Sequence, residues 1–323
     1  MRTWRQAWQE SVYGAGGWAH SDLGPAGAFR TSAHSRAFAR AVAEALRRVD
    51  DALGQPATLD FVDMGAGRGE LVSGVLAESP AHLRDRVKAV AIDLADRPTS
   101  LTAAIDWAHE PPAEIHGLVV ANEWLDDVPA DVVQRTPDDY RVVLVDEHGT
   151  EELGPEAITE AEWLQRWWPL GVGERAEVGA PRDHAWSDLV ARLKAGHAIA
   201  IDYGHVLGQR PQGGSLVGYR TGRQVRPAPD GTMNLTAHVA MDAVAEAGER
   251  SGLRTTWMGS QRDALDALGM LGERPPLGQA KSDPVGYIRA LAEAGERADL
   301  RNPDGLGGFT WLVQSTEGLD SLF

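Results

Sequence analysis

The fold of this chain is decided by the stretch Leu59-Asp60-Phe61-Val62-Asp63-Met64-Gly65-Ala66-Gly67-Arg68-Gly69-Glu70-Leu71. The apolar residues before Gly65 predict a short buried strand, and the apolar residues that recur after the glycines predict the start of a helix. Glycines at 65, 67 and 69 allow a tight turn and a close approach to a ligand. The N–H groups at the start of the helix suit an anionic group.

The spacing of the glycines indicates which ligand this turn binds. A dinucleotide fingerprint has its third glycine at the last position of G-x-G-x-x-G, where this chain has Glu70. Here the third glycine comes one residue earlier, at Gly69, and an acid, Asp63, precedes the turn. That acid would repel a pyrophosphate but could accept a hydrogen bond from an ammonium group. The pattern favours the amino-acid end of S-adenosylmethionine over NAD, with a structural turn that binds no ligand as the alternative.

The composition excludes several classes of protein. Of 323 residues, 31 are basic and 47 acidic, and this net charge of −16 argues against a nucleic-acid partner while it is compatible with a basic protein. The chain has no cysteine, which excludes disulfides and thiolate zinc sites, and its ten histidines show no metal-ligand spacing. The N-terminus lacks the apolar core of a signal peptide, and no long apolar span follows. We therefore expect a cytoplasmic protein with no membrane partner and no metal.

The residues before the first strand predict an N-terminal extension. Apolar positions predict a helix from about 33 to 50, with Thr31 or Ser32 as its N-cap. The segment before it mixes glycines and aromatic residues, which indicates either surface packing or a lid over a cleft. We predict an extension of residues 1–54 and a main domain of residues 55–323.

Two later strands end on residues that suit a nucleoside. The strand Val87–Ile92 ends at Asp93, where doubly wound folds hold a ribose diol, although a turn cap is the alternative. Asp106 and Trp107 follow Ile105 in a short segment of one apolar, one acidic and one aromatic residue. A carboxylate there can accept from an adenine amine and an indole can pack on a purine, with an ordinary loop anchor as the alternative.

The next buried strand predicts a site for a cationic substrate. It runs from Gly117 to Ala121 and is followed by Asn122-Glu123-Trp124-Leu125-Asp126. Ligands of open α/β sheets lie outside the carboxyl ends of the strands, so Glu123 and Asp126 are placed to bind a cation. Alternatively, one of these acids caps a helix that starts near Trp124.

The second half of the chain predicts an insertion and the remaining strands. Residues 130 to about 195 read as an inserted α+β segment, with paired strands at 131–135 and 140–146 and a helix around Trp163. A buried strand follows at 197–201 and ends at Asp202, and a helix is predicted from Asn234 to Ser251. Late strands are predicted at 253–258 and 309–314.

With these residues in place, the chain resembles the MidA-like family of S-adenosylmethionine-dependent methyltransferases from about Tyr13 to Leu312. The resemblance is carried by Tyr13-Gly14 through Phe29-Arg30-Thr31-Ser32, the glycine turn, Asn122-Glu123-Trp124-Leu125-Asp126, Asp202-Tyr203-Gly204 and Leu235-Thr236-Ala237-His238-Val239. The glycine turn is shared by many methyltransferases, whereas the combination of the other segments is much more specific.

The resemblance implies a fold and a set of cofactor residues. The fold would be a Rossmann-like class I methyltransferase, an α/β fold with a seven-stranded, mostly parallel sheet and helices on both faces. S-adenosylmethionine would be the cofactor. The residues implied to bind or surround it are Thr31, Ser32, Asp63, Gly65, Gly67, Asp93, Asp106, Trp107 and Asn122.

The resemblance also implies a reaction, the symmetric dimethylation of arginine on a subunit of respiratory complex I. Glu123 is our candidate for orienting the guanidinium and accepting its proton, and Asp126 is the second candidate. Two alternatives stay open: a methyltransferase acting on oxygen or nitrogen of a small molecule, and a non-catalytic assembly factor that keeps the fold. The sequence predicts no oligomeric state.

Overall fold

The computed structural model describes residues 1–20, 31–272 and 274–323. These residues form two compact units. The first unit takes its residues from the segments 1–30, 123–191 and 202–253, and the second from the segments 31–122, 192–201 and 254–323. The predicted boundary at residue 54 and the insertion at about 130–195 stay predictions.

The strands of the described residues, numbered in chain order, are β1 (Arg2–Thr3), β2 (Leu59–Met64), β3 (Val87–Ile92), β4 (Ile105–Ala108), β5 (Ile115–Asn122), β6 (Val132–Arg135), β7 (Tyr140–Val145), β8 (Glu151–Ala157), β9 (Arg175–Glu177), β10 (Leu193–Asp202), β11 (Gly204–His205), β12 (Val217–Arg220), β13 (Arg223–Val225), β14 (Asn234–Thr236), β15 (Val239–Ala240), β16 (Arg254–Ser260) and β17 (Thr310–Ser315). The α-helices of the same residues are α1 (Trp4–Tyr13), α2 (Arg36–Ala52), α3 (Glu70–Glu78), α4 (Ala81–Arg84), α5 (Ala161–Trp167), α6 (Ala180–Val190), α7 (Met241–Arg250), α8 (Gln261–Ala267), α9 (Gln279–Ser282) and α10 (Pro284–Leu300).

The second unit is built on a mixed sheet of seven strands in the order β16-β17-β10-β5-β2-β3-β4. Strands β10, β5, β2, β3 and β4 pair with one another in parallel, while β16 is antiparallel to β17. The chain leaves β2 toward β3 and β4 on one side and later returns to add β5 and β10 on the other. The topological switch point therefore lies between the carboxyl ends of β2 and β5, where open α/β sheets bind ligands.

The core of the second unit forms from continuous apolar strands and one amphipathic helix. Residues 118–121 of β5 are at most 2% exposed, as expected for a parallel strand covered on both faces. Helix α2 contacts α3 and β5. Its predicted apolar residues Phe38, Val42, Leu46 and Val49 are fully buried, so the 3.6-residue period located this helix correctly.

The first unit contains a five-stranded sheet in the order β1-β7-β6-β9, with β8 also paired to β7. The predicted pairing of strands near 131–135 and 140–146 is confirmed by the antiparallel register of β6 and β7. Helix α1 packs Trp4, Trp8 and Val12 into a core that includes Val143 and Val145 of β7. A three-stranded sheet in the order β13-β12-β14 belongs to the same unit.

The predicted N-cap of the first long helix is wrong. Helix α2 begins at Arg36, and the Ser35 side chain accepts a hydrogen bond from the Phe38 N–H at 3.1 Å. Thr31 and Ser32 instead belong to a 3₁₀ turn over Ser32–His34. That turn uses the Ser32 carbonyl to accept the Ser35 N–H at 2.9 Å, so the α-helix starts only after it.

The helix predicted from Asn234 to Ser251 is also wrong over its first half, because only Met241–Arg250 is helical. Residues 234–236 form β14, in which Leu235 pairs with Gly218 of β12. Leu235 and Val239 are four residues apart, the spacing of a helix face, yet both are buried in extended backbone. The pairing with β12 thus decided the secondary structure of a segment whose apolar spacing fits either a helix or a strand.

Two further predictions concern the N-terminal lid and the membrane. Part of the segment predicted as a lid, including Gly27-Ala28-Phe29-Arg30, lies outside the described residues. Among the residues that the structure does describe, no helix has both the length and the apolar character needed to cross a bilayer.

Candidate functional site

The glycine turn joins β2 to α3 in the second unit. The φ angles of Gly65, Gly67 and Gly69 are 72°, 61° and 82°, all in the left-handed region that favours glycine. A Cβ at Gly67 would approach only the Glu70 carboxylate, at 3.5 Å, so the backbone conformation demands glycine there. A Cβ at Gly69 would lie 2.6 Å from the end of the Leu101 side chain, which would have to move to accommodate it.

Asp63 ties the end of β2 to the start of α3. Its carboxylate is 2% exposed and accepts the Val72 N–H at 3.1 Å, which satisfies one of the unpaired donors in the first turn of the helix. Burial raises the pKa of Asp63 to about 7, and the Val72 hydrogen bond opposes that rise. The acid predicted to meet an ammonium group therefore also fixes the geometry of the turn.

Asp93 supports the same turn from the end of β3. Its two carboxylate oxygens accept the N–H groups of Gly67 and Ala95, each at 2.9 Å. The Gly65 and Ala66 N–H groups donate to the Ile92 carbonyl at 2.9 and 3.0 Å. Burial raises the pKa of Asp93, and the backbone donors oppose the rise. Each carboxylate oxygen keeps a second lone pair that could accept a hydroxyl group.

Trp107 lies beside the loop that follows Asp93. Its indole N–H donates to the Ala95 carbonyl at 3.1 Å, and its ring is half-buried against the core of the second unit. The neighbouring Asp106 is exposed. The structure therefore places the predicted ribose acid directly after β3 and the predicted adenine residues in the neighbouring strand β4.

Thr31 and Ser32 are linked to this region through their neighbours. The Thr31 hydroxyl lies 3.1 Å from the His34 ring, and the other ring nitrogen of His34 lies 3.8 Å from the Glu70 carboxylate in the first turn of α3. Ser32 is fully buried, and its hydroxyl accepts a hydrogen bond from Gln261 at 3.4 Å. Thr31 is thus connected to the helix that follows the glycine turn, whereas Ser32 faces the interior.

A second group of candidate residues surrounds the turn that follows β5 and belongs to the first unit. We call residues 123–128 the acidic turn. Glu123, the first of them, has a φ of 51°, an uncommon left-handed conformation for a residue that is not glycine. Asn122 before it is 7% exposed. A strained residue at a strand end is typical of functional sites.

Asp126 is the most deeply held carboxylate of the acidic turn. One oxygen, Oδ2, accepts hydrogen bonds from the Tyr203 hydroxyl and from the Thr236 hydroxyl, the latter at 2.6 Å. The other oxygen, Oδ1, is buried and has no hydrogen-bond partner among the described residues. Burial raises the pKa of Asp126, while the two hydroxyl donors oppose the rise.

Asp202, at the end of β10, holds the backbone of the acidic turn. Its Oδ2 accepts the N–H groups of Leu125 and Asp126, each at 3.1 Å. Its Oδ1 is buried and also lacks a partner within the described part of the chain. Burial and the negative charge of Asp126 raise the pKa of Asp202 well above its usual range.

Arg182 of α6 holds the acidic turn from the other side. The side chain is 1% exposed and donates to the backbone carbonyls of Asp126 at 2.9 Å, Val128 at 3.1 Å and His238 at 2.8 Å. Its guanidinium lies 5.8 Å from the ring centre of Trp8. The positive charge lowers the pKa of Asp126 and of Asp202, but burial outweighs this effect in both.

Asp127 completes the cluster. Its Oδ1 accepts a hydrogen bond from the Asn234 amide at 3.0 Å. Burial and then the charge of Asp126 raise the pKa of Asp127 well above its usual range. The acidic turn therefore holds more acidic groups than the buried Arg182 can pair with, and a positively charged ligand would favour their ionised forms.

Sequence reasoning found some of these residues and missed others. It singled out Asn122, Glu123 and Asp126, and the last two share the first unit. It assigned no role to Arg182, Tyr203 or Thr236, although Tyr203 and Thr236 lie in segments that carry the family resemblance. No sequence pattern indicated a role for Arg182, because Arg182 lies far along the chain from the acidic turn that it contacts. Among the described residues, no group of three or more histidines and acids could hold a metal ion.

Comparison with known proteins identifies a family and similar solved structures. A family model described as "putative S-adenosyl-L-methionine-dependent methyltransferase" matches residues 39–259. Two crystal structures from Burkholderia thailandensis are similar over 99% of this chain and 88% of theirs, each at 23% identity. One, a methyl transferase candidate bound to S-adenosyl-homocysteine, has a TM-score of 0.77, and the other, an uncharacterized protein of the same superfamily, has a TM-score of 0.78. No curated protein matches the sequence.

Proposed function

Because the chain belongs to this family of S-adenosyl-L-methionine-dependent methyltransferases, we propose that it methylates a guanidinium nitrogen of arginine in a protein substrate. The family gives the cofactor, S-adenosylmethionine, and the reaction class, methyl transfer. The acceptor is our proposal, and it rests on the acidic turn. The MidA-like resemblance supports the same acceptor and adds symmetric dimethylation of a complex I subunit to the proposal.

The residues of the second unit fit the cofactor. The left-handed glycines at 65 and 67 carry no side chain, so the methionine end of the cofactor can approach the backbone of the turn at these positions. The second lone pairs of the Asp93 carboxylate suit the ribose hydroxyls. The half-buried indole of Trp107 and the exposed carboxylate of Asp106 suit the adenine ring and its amine. When bound, the cofactor supplies an electrophilic methyl group on a sulfonium sulfur.

The observation that carries the acceptor proposal is an excess of buried hydrogen-bond acceptors. The Oδ1 atoms of Asp126, Asp202 and Asn234 are all buried and have no donor among the described residues. Arg182 directs its own donors to backbone carbonyls instead. A guanidinium group carries five N–H donors and a positive charge, so its chemistry matches what this cluster lacks.

Glu123 is placed to take the proton that the acceptor nitrogen loses. It is half-buried, and the hydrogen bonds around residues 125–128 hold the turn that begins with its strained backbone. Asp126 is less suited to this role, because its Oδ2 already accepts from Tyr203 and Thr236. We therefore assign proton removal to Glu123 and orientation of the guanidinium to Asp126.

Cofactor binding is tested by calorimetric titration with S-adenosylmethionine. We expect Gly67→Val to weaken binding at least about 10-fold, because a β-branched residue disfavours the left-handed backbone that shapes the turn. Gly54→Val is the matched control, since Gly54 also has a positive φ, of 74°, and a Cβ there meets nothing within 4 Å. Equal affinity of the Gly67 variant and the wild type would remove the glycine turn from the cofactor site.

The acceptor is tested by mass spectrometry of arginine-bearing proteins and peptides incubated with the enzyme and S-adenosylmethionine. We expect methyl-arginine with the wild type and an at least about 100-fold lower rate with Glu123→Gln, because removal of a general base costs this much. Glu152→Gln, an exposed acid of the same unit, is the control. Cofactor affinity should stay unchanged in both variants.

Other results of this screen identify the alternatives. Methylated oxygen or nitrogen on small molecules, with no methyl-arginine, would show a small-molecule methyltransferase. Cofactor binding without transfer to any acceptor would point to an assembly factor. Unchanged turnover of Glu123→Gln would remove Glu123 from the role of base while leaving the acceptor proposal standing.

A further inference from the structure

The short connection between β14 and β15 presents one exposed side chain, His238, beside the acidic turn. The residues before it, Thr236 and Ala237, are buried, whereas His238 is exposed. The Thr236 hydroxyl donates to the Asp126 carboxylate at 2.6 Å, and the Ala237 N–H donates to the Asp126 carbonyl at 3.3 Å. The backbone that carries the His238 ring is therefore anchored to the acidic turn on its N-terminal side.

Two buried charged side chains fix the main chain of His238 itself. Arg182 donates to the His238 carbonyl at 2.8 Å and to the Asp126 carbonyl at 2.9 Å, so one guanidinium joins the two segments. The His238 N–H donates to the Ser215 hydroxyl, which in turn donates to the Glu177 carboxylate, both at 2.9 Å. Arg182 and Glu177 are 1% and 2% exposed. His238 is thus held at both its N–H and its carbonyl, unlike an ordinary exposed loop residue.

The imidazole ring of His238 lies next to a side chain that binds Asp126. Its centre is 5.4 Å from the ring centre of Tyr203 in an edge-to-face arrangement, and the Tyr203 hydroxyl donates to the Asp126 carboxylate. Partial removal of water from the ring lowers the pKa of His238, so the ring is neutral at pH 7. A neutral ring can pack against a cation without repelling it.

We propose that His238 is a substrate-binding residue beside the acidic turn, and that its imidazole packs against the plane of the guanidinium of the acceptor arginine. This inference rests on the proposed function, from which it takes the acceptor. The carboxylates of the acidic turn attract any cation by charge alone. A flat ring beside them favours a flat cation, because a guanidinium stacks on aromatic rings while an ammonium group is compact and strongly hydrated. His238 therefore selects arginine over lysine.

The side chain of His238 can be replaced without loss of the bonds that hold its backbone. The hydrogen bonds to Arg182 and Ser215 use the carbonyl and the N–H of residue 238, so they are available to any residue except proline at this position. The residues that fit the cofactor belong to the other unit. We therefore expect His238 variants to fold and to bind S-adenosylmethionine as tightly as the wild type.

Calorimetric titration of an arginine-bearing peptide into the enzyme saturated with S-adenosylhomocysteine tests the proposal, because no methyl group can then be transferred. We expect His238→Ala to weaken binding at least about 5-fold, the size of a ring–cation contact at a partly exposed site. His238→Phe keeps a flat ring and should bind within about 2-fold of the wild type. His148→Ala is the control, since His148 is an exposed histidine of the same unit.

A peptide with lysine in place of the arginine gives a second readout. We expect His238→Ala to leave its affinity within about 2-fold of the wild type, so the preference for arginine should fall about 5-fold. In turnover with the arginine peptide, the same variant should raise KM and leave kcat nearly unchanged, as loss of a contact made equally in the ground and transition states does.

Three results would overturn the proposal, and they differ in what else they remove. Unchanged arginine affinity in His238→Ala, with a wild type that methylates arginine, would remove His238 from the site and leave the proposed function standing. Equal weakening in His238→Ala and His238→Phe would assign the contact to an imidazole nitrogen instead of the ring. A wild type that binds neither peptide would remove the arginine acceptor together with this inference.

Discussion

At the scale of single residues, burial and local donors decide what each carboxylate does. Asp63 and Asp93 share the second unit and the glycine turn, yet one binds a helix N–H and the other binds two loop N–H groups. Asp126 and Asp202 share the first unit, and each has one satisfied and one unsatisfied oxygen. The residue type was readable in the sequence, but these partners were not.

Asp183 offers a test of how a buried acid changes stability with pH. It is 4% exposed, and burial raises its pKa from 3.8 to about 7 although Trp163 donates to it at 2.7 Å. Between these two values the folded chain retains a proton that the unfolded chain has released, so this group lowers stability as the pH rises.

We therefore expect Asp183→Asn to gain stability relative to the wild type between pH 4 and pH 7, by about 4 kcal/mol, because the amide cannot ionise and can still accept from Trp163. Urea unfolding at several pH values measures this difference. Asp188→Asn, an exposed carboxylate on the same helix, is expected to follow the wild type. A constant difference for Asp183→Asn over the whole pH range would contradict the proposed shift.

At the scale of elements, helix ends depend on the chain that precedes them. The sequence offers Thr31, Ser32 and Ser35 as hydroxyl residues before α2, and each could cap a helix. The 3₁₀ turn at Ser32–His34 leaves this role to Ser35. The period of apolar residues thus located the helix but could not choose among neighbouring caps.

The role of Ser35 as the N-cap predicts different effects of substituting Ser35 and Thr31. Ser35→Ala is expected to lower the free energy of unfolding by about 1 kcal/mol, because it removes the acceptor of the Phe38 N–H. Thr31→Ala should cost less, since Thr31 makes no side-chain cap bond. Chemical denaturation of both variants gives the comparison, and an equal or larger loss at Thr31 would favour the cap predicted from the sequence.

At the scale of the whole molecule, the two units divide the candidate residues between them. The residues that fit the cofactor lie in the segments 31–122, 192–201 and 254–323, while the acidic turn lies in the other unit. Cofactor binding should therefore stabilise the second unit directly. If the units unfold in separate transitions, only the transition of the second unit should move.

The linkage between cofactor binding and folding gives the expected size of this stabilisation. S-adenosylmethionine at 100 times its dissociation constant is expected to raise the free energy of unfolding by about 2.7 kcal/mol. At the same cofactor concentration, Gly67→Val should show a much smaller rise. Urea unfolding with and without cofactor, followed by tryptophan fluorescence, measures both. A rise of equal size in the Gly67 variant would mean that the cofactor binds away from the glycine turn.

The sequence by itself determined the framework of the second unit. The strand, glycine turn and helix at 59–78, the acid after β3 and the acids after β5 were all readable in it. They are local features, because apolar periods and glycine spacings act over a few residues. Parallel strands also end at the same edge of a sheet, so Asp93 and Glu123 could be identified as candidates without the structure.

Only the tertiary structure decided the chemistry of the acidic turn. Asp126 binds Tyr203 and Thr236, which are 77 and 110 residues away along the chain. Arg182 reaches carbonyls 56 and 54 residues away. Burial and these long-range hydrogen bonds set the pKa of each acid and the backbone conformation of Glu123. Both depend on which distant segments meet, and no local pattern encodes that.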